Sequence, residues 1–156
     1  MTGLSEGRPL FVRKQNAEFN LANFMRAELY TSLGALRIGM DILFEEEKVS
    51  LDTLTGHGGF FKAENAGLPF MAAAMHTPVS VMSTAGEGGP WGMAVLAQYA
   101  SSGTSLELGD WLEKEVFASA KVKTVAPLEE DVKGFNELMK NYKAGLAVER
   151  AAVENL

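Results

Sequence analysis

The sequence has 156 residues, of which 47% are hydrophobic and 22% charged, values close to those of soluble globular proteins. Lys and Arg number 14 against 20 Asp and Glu, so the net charge is 14 − 20 = −6, which disfavours binding to nucleic-acid phosphates. The absence of cysteine excludes disulfides, thiolate nucleophiles and sulfur-ligated metals. With no signal peptide pattern and no apolar run of about 18 residues, we expect one cytoplasmic domain over residues 1–156, without nucleic-acid or membrane partners.

The first third of the chain predicts a short strand and a long helix. Residues 9–13 (PLFVR) form an apolar run of strand character. Asn20 is a good N-cap, and apolar residues then recur every three or four positions through residues 21–43, which predicts a helix of about six turns. Arg37 and Asp41 are spaced to pair on its solvent side. Gly34 and Gly39 lower the helix propensity, so they are expected where another element approaches closely.

The middle third repeats one arrangement twice: a strand, a cluster of glycines and a helix. Residues 50–55 predict a strand that runs into the first glycine cluster (residues 56–59, GHGG), followed by a helix over residues 64–75. Residues 78–83 predict a second strand, followed by the second glycine cluster (residues 86–89, GEGG) and a helix over residues 91–99 with Pro90 at its first position. Alternating strands and helices indicate a mainly parallel sheet with right-handed crossovers.

The last third predicts a helix within residues 106–117, a peripheral strand over residues 121–126 and a long terminal helix that begins at Pro127. The terminal helix has an apolar stripe that Glu149 interrupts. Its spacing suits a helix docked on the domain or a coiled-coil partner, so a homodimer is one open alternative.

Glycine clusters between a strand and a helix favour binding of anionic or nucleotide ligands. Glycine leaves no side chain between the main-chain N–H groups and a ligand, and the N-terminus of the next helix adds unpaired donors. The alternative is that these glycines only form tight turns or allow close packing. Neither cluster has the third glycine of a dinucleotide-binding fingerprint, and the chain has no Gly-Lys-Ser/Thr phosphate loop.

Other candidate residues each have two interpretations. His57 either contacts a ligand or caps its turn, Lys62 either meets a phosphate or points into water, and Trp91 either lines a pocket or anchors packing. His57 and His76 form no metal-ligand pair by spacing, and Ser80, Ser83 and Thr84 have no histidine at the spacing of a hydrolase triad.

Three motifs in this order resemble the C-terminal domain of the FGGY carbohydrate kinases, and among these the chain is most similar to xylulose kinases. Residues 20–27 (NLANFMRA) resemble the family's helix opening, residues 54–59 (LTGHGG) its glycine-rich adenosine motif, and residues 86–97 (GEGGPWGMAVLA) its later connecting motif. Phe60 and Phe61 are bulky where the family usually has small residues.

The resemblance implies an α/β domain of the actin-like, ribonuclease-H-like ATPase fold, which would bind ATP and Mg²⁺ in a cleft between two lobes. It implies transfer of the γ-phosphoryl group of ATP to a sugar hydroxyl, with xylulose or a related ketose as the sugar. The catalytic residues and the main Mg²⁺ contacts are expected in an N-terminal lobe, so the chain is expected to be a kinase segment that is inactive alone. The alternative is a self-standing nucleotide-binding or interaction module without catalysis.

The resemblance also implies a set of nucleotide-binding residues in and after the two glycine clusters. They are Gly56, His57, Gly58, Gly59, Phe60, Phe61, Lys62, Gly86, Glu87, Gly88 and Gly89.

Overall fold

The computed structural model describes residues 4–63, 65–84, 86 and 88–156. The helices are α1 (Leu21–Ser32), α2 (Gly34–Asp41), α3 (Gly67–Met75), α4 (Gly88–Ser101), α5 (Leu108–Trp111) and α6 (Glu129–Asn155), and the strands are β1 (Leu54–Gly56), β2 (Val79–Met82) and β3 (Val122–Val125). Short π-helical turns follow α2 and α5 at Ile42–Glu46 and Leu112–Val116, and a 3-10 turn covers Gly59–Lys62. In the described part of the chain, no helix combines the length and the hydrophobicity that crossing a bilayer requires.

The chain divides into two compact units. Unit 1 contains residues up to 51 together with residues 73–76 and 127–156, and unit 2 contains residues 52–72 and 77–126. Both predicted glycine clusters therefore belong to unit 2. The prediction of one kinase segment over residues 1–156 stays a prediction.

The predicted helix over residues 21–43 is interrupted in unit 1. The side chain of Asn20 caps α1 by accepting a 2.8 Å hydrogen bond from the backbone N–H of Asn23, as the sequence predicts. The helix ends at Ser32, and α2 restarts at Gly34, where a Cβ atom would lie 3.0 Å from the ring of Tyr142. The expected close approach is therefore confirmed at Gly34. It is wrong at Gly39, where no described atom lies within 4 Å of a Cβ position.

The strand predicted at residues 9–13 is wrong, because the structure gives this segment no strand. The ring of Phe11 instead packs 5.5 Å from the ring of Phe19 and 5.2 Å from that of Phe24. The run consists of apolar residues, but a strand needs a partner for its backbone groups, and no described segment pairs with it.

The terminal helix α6 docks within unit 1 through the predicted apolar stripe. Phe135 is fully buried and Met139 nearly so, and the Phe135 ring meets the buried Tyr30 ring edge-on at 5.1 Å. Glu149, the polar residue in that stripe, accepts a hydrogen bond from the backbone N–H of Arg8. The one polar residue that interrupts the stripe therefore has a hydrogen-bond partner within unit 1.

Unit 2 is built on a three-stranded sheet in the order β1-β2-β3. β1 and β2 pair in parallel, with Leu54 opposite Val79, whereas β2 and β3 are antiparallel, with Val79 opposite Val125. The sheet is therefore mixed where the sequence predicts a mainly parallel one. The physical reason lies in the connection, because two helices, α4 and α5, join β2 to β3, whereas α3 joins β1 to β2. The chain re-enters the sheet at the edge where β2 ends, with Val122 opposite Met82, so β3 runs back along β2. Side chains from the sheet, α3 and the 3-10 turn form the core: Phe61, Leu68, Ala72 and Val79.

Arg37 and Asp41 form the predicted pair, at 2.5 Å between Nε and Oδ1, but not on the solvent side of the helix. Their side chains are only 12% and 14% exposed. Arg37 also donates to the carbonyl oxygen of Ala74 at 2.7 Å, and the ammonium group of Lys143 lies 3.0 Å from the other carboxylate oxygen of Asp41. Burial raises the pKa of Asp41, but the hydrogen bonds from Arg37 and Lys143 outweigh it, so the pKa lies below its ordinary value of 3.8.

The buried ion pair between Arg37 and Asp41 predicts that the folded protein loses stability in acid. Since the pKa of Asp41 is lower in the folded protein than in the unfolded chain, its contribution is complete above about pH 4 and is lost as the pH falls through the folded-state value. We expect the wild type to have a higher free energy of unfolding than Asp41→Asn at pH 6, and the difference to shrink at pH 3, in urea titrations. The matched control is Asp110→Asn, at an exposed aspartate of α5. An equal difference at both pH values would contradict the prediction.

Candidate functional site

The two glycine clusters follow neighbouring parallel strands. Gly56 is the last residue of β1, and β2 ends at Met82, four residues before the second cluster begins. Gly56 pairs with Val81 in the parallel register. Because parallel strands end at the same edge of a sheet, both clusters emerge at one edge, which is where open α/β sheets bind ligands.

Each cluster contains a glycine with positive φ, a backbone conformation that favours glycine. Gly58 has φ +104° and ψ −179°, a region that is essentially restricted to glycine. Gly88, the first residue of α4, has φ +64°. Apart from chain neighbours and the backbone of the same helix, no described atom lies within 4 Å of a Cβ position at Gly58, Gly59, Gly88 or Gly89. A side chain at any of these four positions would therefore meet open space.

Gly56 has a different role, because it makes room for Phe61. A Cβ atom at Gly56 would lie 2.3 Å from the Phe61 ring, far inside van der Waals contact. Phe61 is 9% exposed and belongs to the core of unit 2, and the half-buried Phe60 ring packs edge-on against it at 5.4 Å. The bulky residues that depart from the family pattern therefore fold the first cluster back onto the core, which leaves the side chain of Phe61 little surface for a ligand.

Lys62 connects the two clusters. Its Cε atom would lie 2.9 Å from a Cβ atom at Gly86, so its aliphatic stem runs directly over this glycine. The Lys62 residue is exposed. Gly86 thus allows the aliphatic stem of a lysine that follows the first cluster to lie against the second.

Thr84 adds a polar group between β2 and the second cluster. Its hydroxyl oxygen is buried and has no hydrogen-bond partner in the part of the chain that the structure describes. An unpaired buried hydroxyl costs about 1–3 kcal/mol, so such a group is typical of a place where a ligand or water completes the hydrogen bonding. In the sequence, Thr84 stands out only as a hydroxyl after a strand, and no motif marks it as a ligand contact.

A row of aromatic rings lies beside the same clusters. The His57 ring centroid is 6.1 Å from that of Trp91, with a 34° angle between planes, and Trp91 is 5.9 Å from Phe117. His57 is exposed and the other two are half-buried. The sequence alone does not decide whether Trp91 lines a pocket or anchors packing. It also does not link Phe117 to Trp91, because 26 positions separate them.

The remaining sequence candidates take structural roles or fall elsewhere. The hydroxyl of Ser80 lies 2.7 Å from that of Thr124 and 3.2 Å from that of Thr53, so it is used within unit 2. His76 belongs to unit 1, where its ring contacts the side-chain oxygen of Asn136 at 3.0 Å. Glu87 lies outside the described residues.

The comparison with family models identifies the protein class. The model of the FGGY family of carbohydrate kinases, C-terminal domain, matches residues 1–101, which is 101 of the 156 residues. The chain belongs to the FGGY family of carbohydrate kinases. No curated protein and no solved structure matches the chain.

Family membership confirms the predicted resemblance to the C-terminal domain of the FGGY kinases and the actin-like ATPase fold, whereas the similarity to xylulose kinases stays a prediction. The matched FGGY segment contains both glycine clusters and ends at Ser101, the last residue of α4. α5, β3 and α6 lie beyond it. The glycine clusters, Lys62, Thr84 and Trp91 therefore fall within the matched family segment, whereas Phe117 lies beyond it.

Gly56→Ala tests how the first cluster is held. The added methyl group must displace the Phe61 ring from the core, and overpacking of this kind costs about 1–3 kcal/mol. We expect the free energy of unfolding, measured by urea titration, to fall by this amount and the urea midpoint to fall with it. Gly59→Ala is the matched control, because no described atom lies within 4 Å of its Cβ position. Equal unfolding midpoints for the two variants would show that Phe61 does not constrain Gly56.

Proposed function

We propose that this chain is the ATP-binding portion of an FGGY sugar kinase that transfers the γ-phosphoryl group of ATP to a hydroxyl of xylulose or a related ketose. The observation that carries the proposal is that both glycine clusters follow parallel neighbouring strands, β1 and β2, at one edge of the sheet, the second of them at the N-terminus of α4. Exposed main-chain N–H groups and a helix N-terminus favour a phosphorylated ligand. The choice of ketose rests on the resemblance to xylulose kinases.

Within the proposed site, the glycines of both clusters contribute main-chain contacts to the nucleotide. Lys62 contributes positive charge over Gly86, and the Thr84 hydroxyl contributes a hydrogen bond that it does not make within the described chain. Phe60 and Phe61 act mainly by positioning the first cluster, since Phe61 packs inward. Glu87 remains in the proposed set from its position in the motif.

Phosphoryl transfer depends on positioning of the reactants and on stabilisation of the phosphoryl charge, to which a bound Mg²⁺ would contribute. In the described part of the chain, no group of three His, Asp or Glu side chains could hold a metal ion. We therefore place the Mg²⁺ contacts on the ATP phosphates and on an N-terminal lobe, together with the group that orients the sugar hydroxyl. In this proposal the 156-residue chain binds nucleotide but does not catalyse transfer alone.

The kinase proposal is tested by adding a separately expressed FGGY N-terminal domain to this chain and measuring sugar-dependent ADP release. We expect release with a ketopentose such as xylulose and none from the chain alone. A panel of pentuloses, hexuloses and polyols identifies the sugar. Absence of turnover with every sugar, while ATP still binds, would favour the alternative of a nucleotide-binding module without catalysis.

Lys62→Met tests the proposed phosphate contact. Hydrogen bonds to charged groups contribute about 1.5–3 kcal/mol, so we expect the dissociation constant for ATP, measured by isothermal titration calorimetry, to rise about tenfold or more. The matched control is Lys114→Met, which removes an exposed lysine elsewhere in unit 2.

Gly86→Ala, which pushes the Lys62 stem away while leaving the charge, should weaken ATP binding without lowering the unfolding midpoint appreciably, because a flexible side chain can move aside. Unchanged ATP affinity in both Lys62→Met and Gly86→Ala would remove Lys62 from the site.

A further inference from the structure

Unit 1 contains a polar cavity of its own. The cavity has a volume of about 390 Å³, which lies within the range of about 300–1,000 Å³ that is typical of ligand pockets. Its walls come from α2, from the π-helical turn that follows α2 and from the terminal helix α6. Met139 is the apolar residue of the lining. The charged and polar ones are Arg37, Asp41, Glu45, Asn136, Lys140 and Lys143.

The family match does not account for this cavity. The matched segment ends at residue 101, whereas four of the seven lining residues lie on α6. Within the described chain, none of the residues proposed for the nucleotide site lines the cavity. A ligand bound here would therefore occupy a second site.

Arg37 contributes a fixed guanidinium group to the lining. Its side chain is 12% exposed and is held at two points, because Nε donates to Asp41 at 2.5 Å and Nη1 donates to the carbonyl oxygen of Ala74 at 2.7 Å. A guanidinium group has five N–H donors, and the donors of Nη2 have no acceptor in the described part of the chain. They are therefore left for a ligand, and the planar fork of arginine matches the spacing of phosphate oxygens.

Positive charge exceeds negative charge around Asp41. Its carboxylate accepts from Arg37 with one oxygen and lies 3.0 Å from the ammonium group of Lys143 with the other, so two cations share one anion. Lys140, one turn before Lys143 on α6, adds a third cation. Its ion pair with Glu137 joins side chains that are 76% and 65% exposed, and such surface pairs contribute little to stability. Lys140 can therefore exchange this partner for a ligand anion.

Glu45 and Asn136 give the rest of the cavity a different chemistry. The Glu45 carboxylate makes no hydrogen bond or ion pair within the described residues, and it lies eight positions after Arg37, about two helical turns away. The side-chain oxygen of Asn136 accepts from the Nε2–H of His76 at 3.0 Å, which leaves its amide N–H groups for a ligand. A carboxylate repels phosphate but accepts hydrogen bonds from hydroxyl groups. The lining therefore suits a ligand with a phosphate at one end and hydroxyl groups at the other.

We infer that this cavity binds a small phosphate monoester that carries hydroxyl groups. Arg37, Lys140 and Lys143 hold the phosphate. The hydroxyl groups hydrogen-bond with Glu45 and Asn136. The site does not depend on the proposed nucleotide site, and its ligand joins α2 to α6 because both helices contribute contacts.

The test measures the affinity of the 156-residue chain for ribose 5-phosphate, ribose, inorganic phosphate and citrate by isothermal titration calorimetry. We expect ribose 5-phosphate to bind more tightly than inorganic phosphate or citrate, and ribose not to bind. Lys140→Met removes a charged contact and should weaken binding of ribose 5-phosphate about tenfold. The matched control is Lys133→Met, on the same helix outside the cavity, where a 71% exposed lysine pairs with Glu129 in a similar surface ion pair.

A second variant tests the hydroxyl end of the site. Glu45→Ala removes the acceptor for the hydroxyl groups, so the ratio of the affinities for ribose 5-phosphate and inorganic phosphate should shrink at least threefold. Both Lys140 and Glu45 are exposed, so we expect these variants to fold, and circular dichroism checks this. The position of the site is checked by NMR, where the side-chain amide signals of Asn136 should shift with ribose 5-phosphate and not with ribose.

The outcomes separate this inference from the proposed function. Ribose 5-phosphate that does not bind, that binds no more tightly than inorganic phosphate or citrate, or that binds Lys140→Met as it binds the wild type would overturn the inference. Each of these results leaves the nucleotide site standing, because that site is tested by ATP binding. Lys62→Met should bind ribose 5-phosphate as the wild type does, and a loss in this variant would instead place the sugar phosphate at the glycine clusters.

Discussion

The parallel pairing of β1 with β2 is the interaction on which the candidate site depends. Only a parallel pair brings the ends of two consecutive strands, and hence both glycine clusters, to one edge of the sheet. The pairing is anchored by burial, since Val79 is fully buried and Gly56 lies buried against the Phe61 ring. A slip of one residue would turn the buried side chains of β2 to the other face of the sheet.

The glycines of the site serve two separate physical needs. Gly56 and Gly86 make room, one for an inward-packed aromatic ring and one for the stem of Lys62. Gly58 and Gly88 instead adopt positive φ values, with open space at their Cβ positions. The first pair accommodates neighbouring side chains, and the second pair sets the path of the backbone. Replacement by alanine is therefore expected to crowd a neighbouring side chain at Gly56 and Gly86, and to strain the backbone at Gly58 and Gly88.

Sequence reasoning succeeded where short-range chemistry determines the outcome. The Asn20 cap, the two strand–glycine–helix units and the long terminal helix depend on residues close together in the chain, and each is present. Sequence reasoning failed where contacts with residues far away in the chain determine the secondary structure. Residues 9–13 have strand composition but no described strand to pair with, and the helix over residues 21–43 breaks where Tyr142 packs on Gly34.

The sequence by itself determined the family, the α/β alternation and the two glycine clusters, because these are encoded in local order and spacing. Only the tertiary structure decided that β3 runs antiparallel, that Phe61 faces the core, and that Trp91 meets both His57 and Phe117. The physical reason is the same in each case. Side-chain direction and strand orientation follow from packing between segments far apart in the chain, and no local pattern of residues specifies that packing.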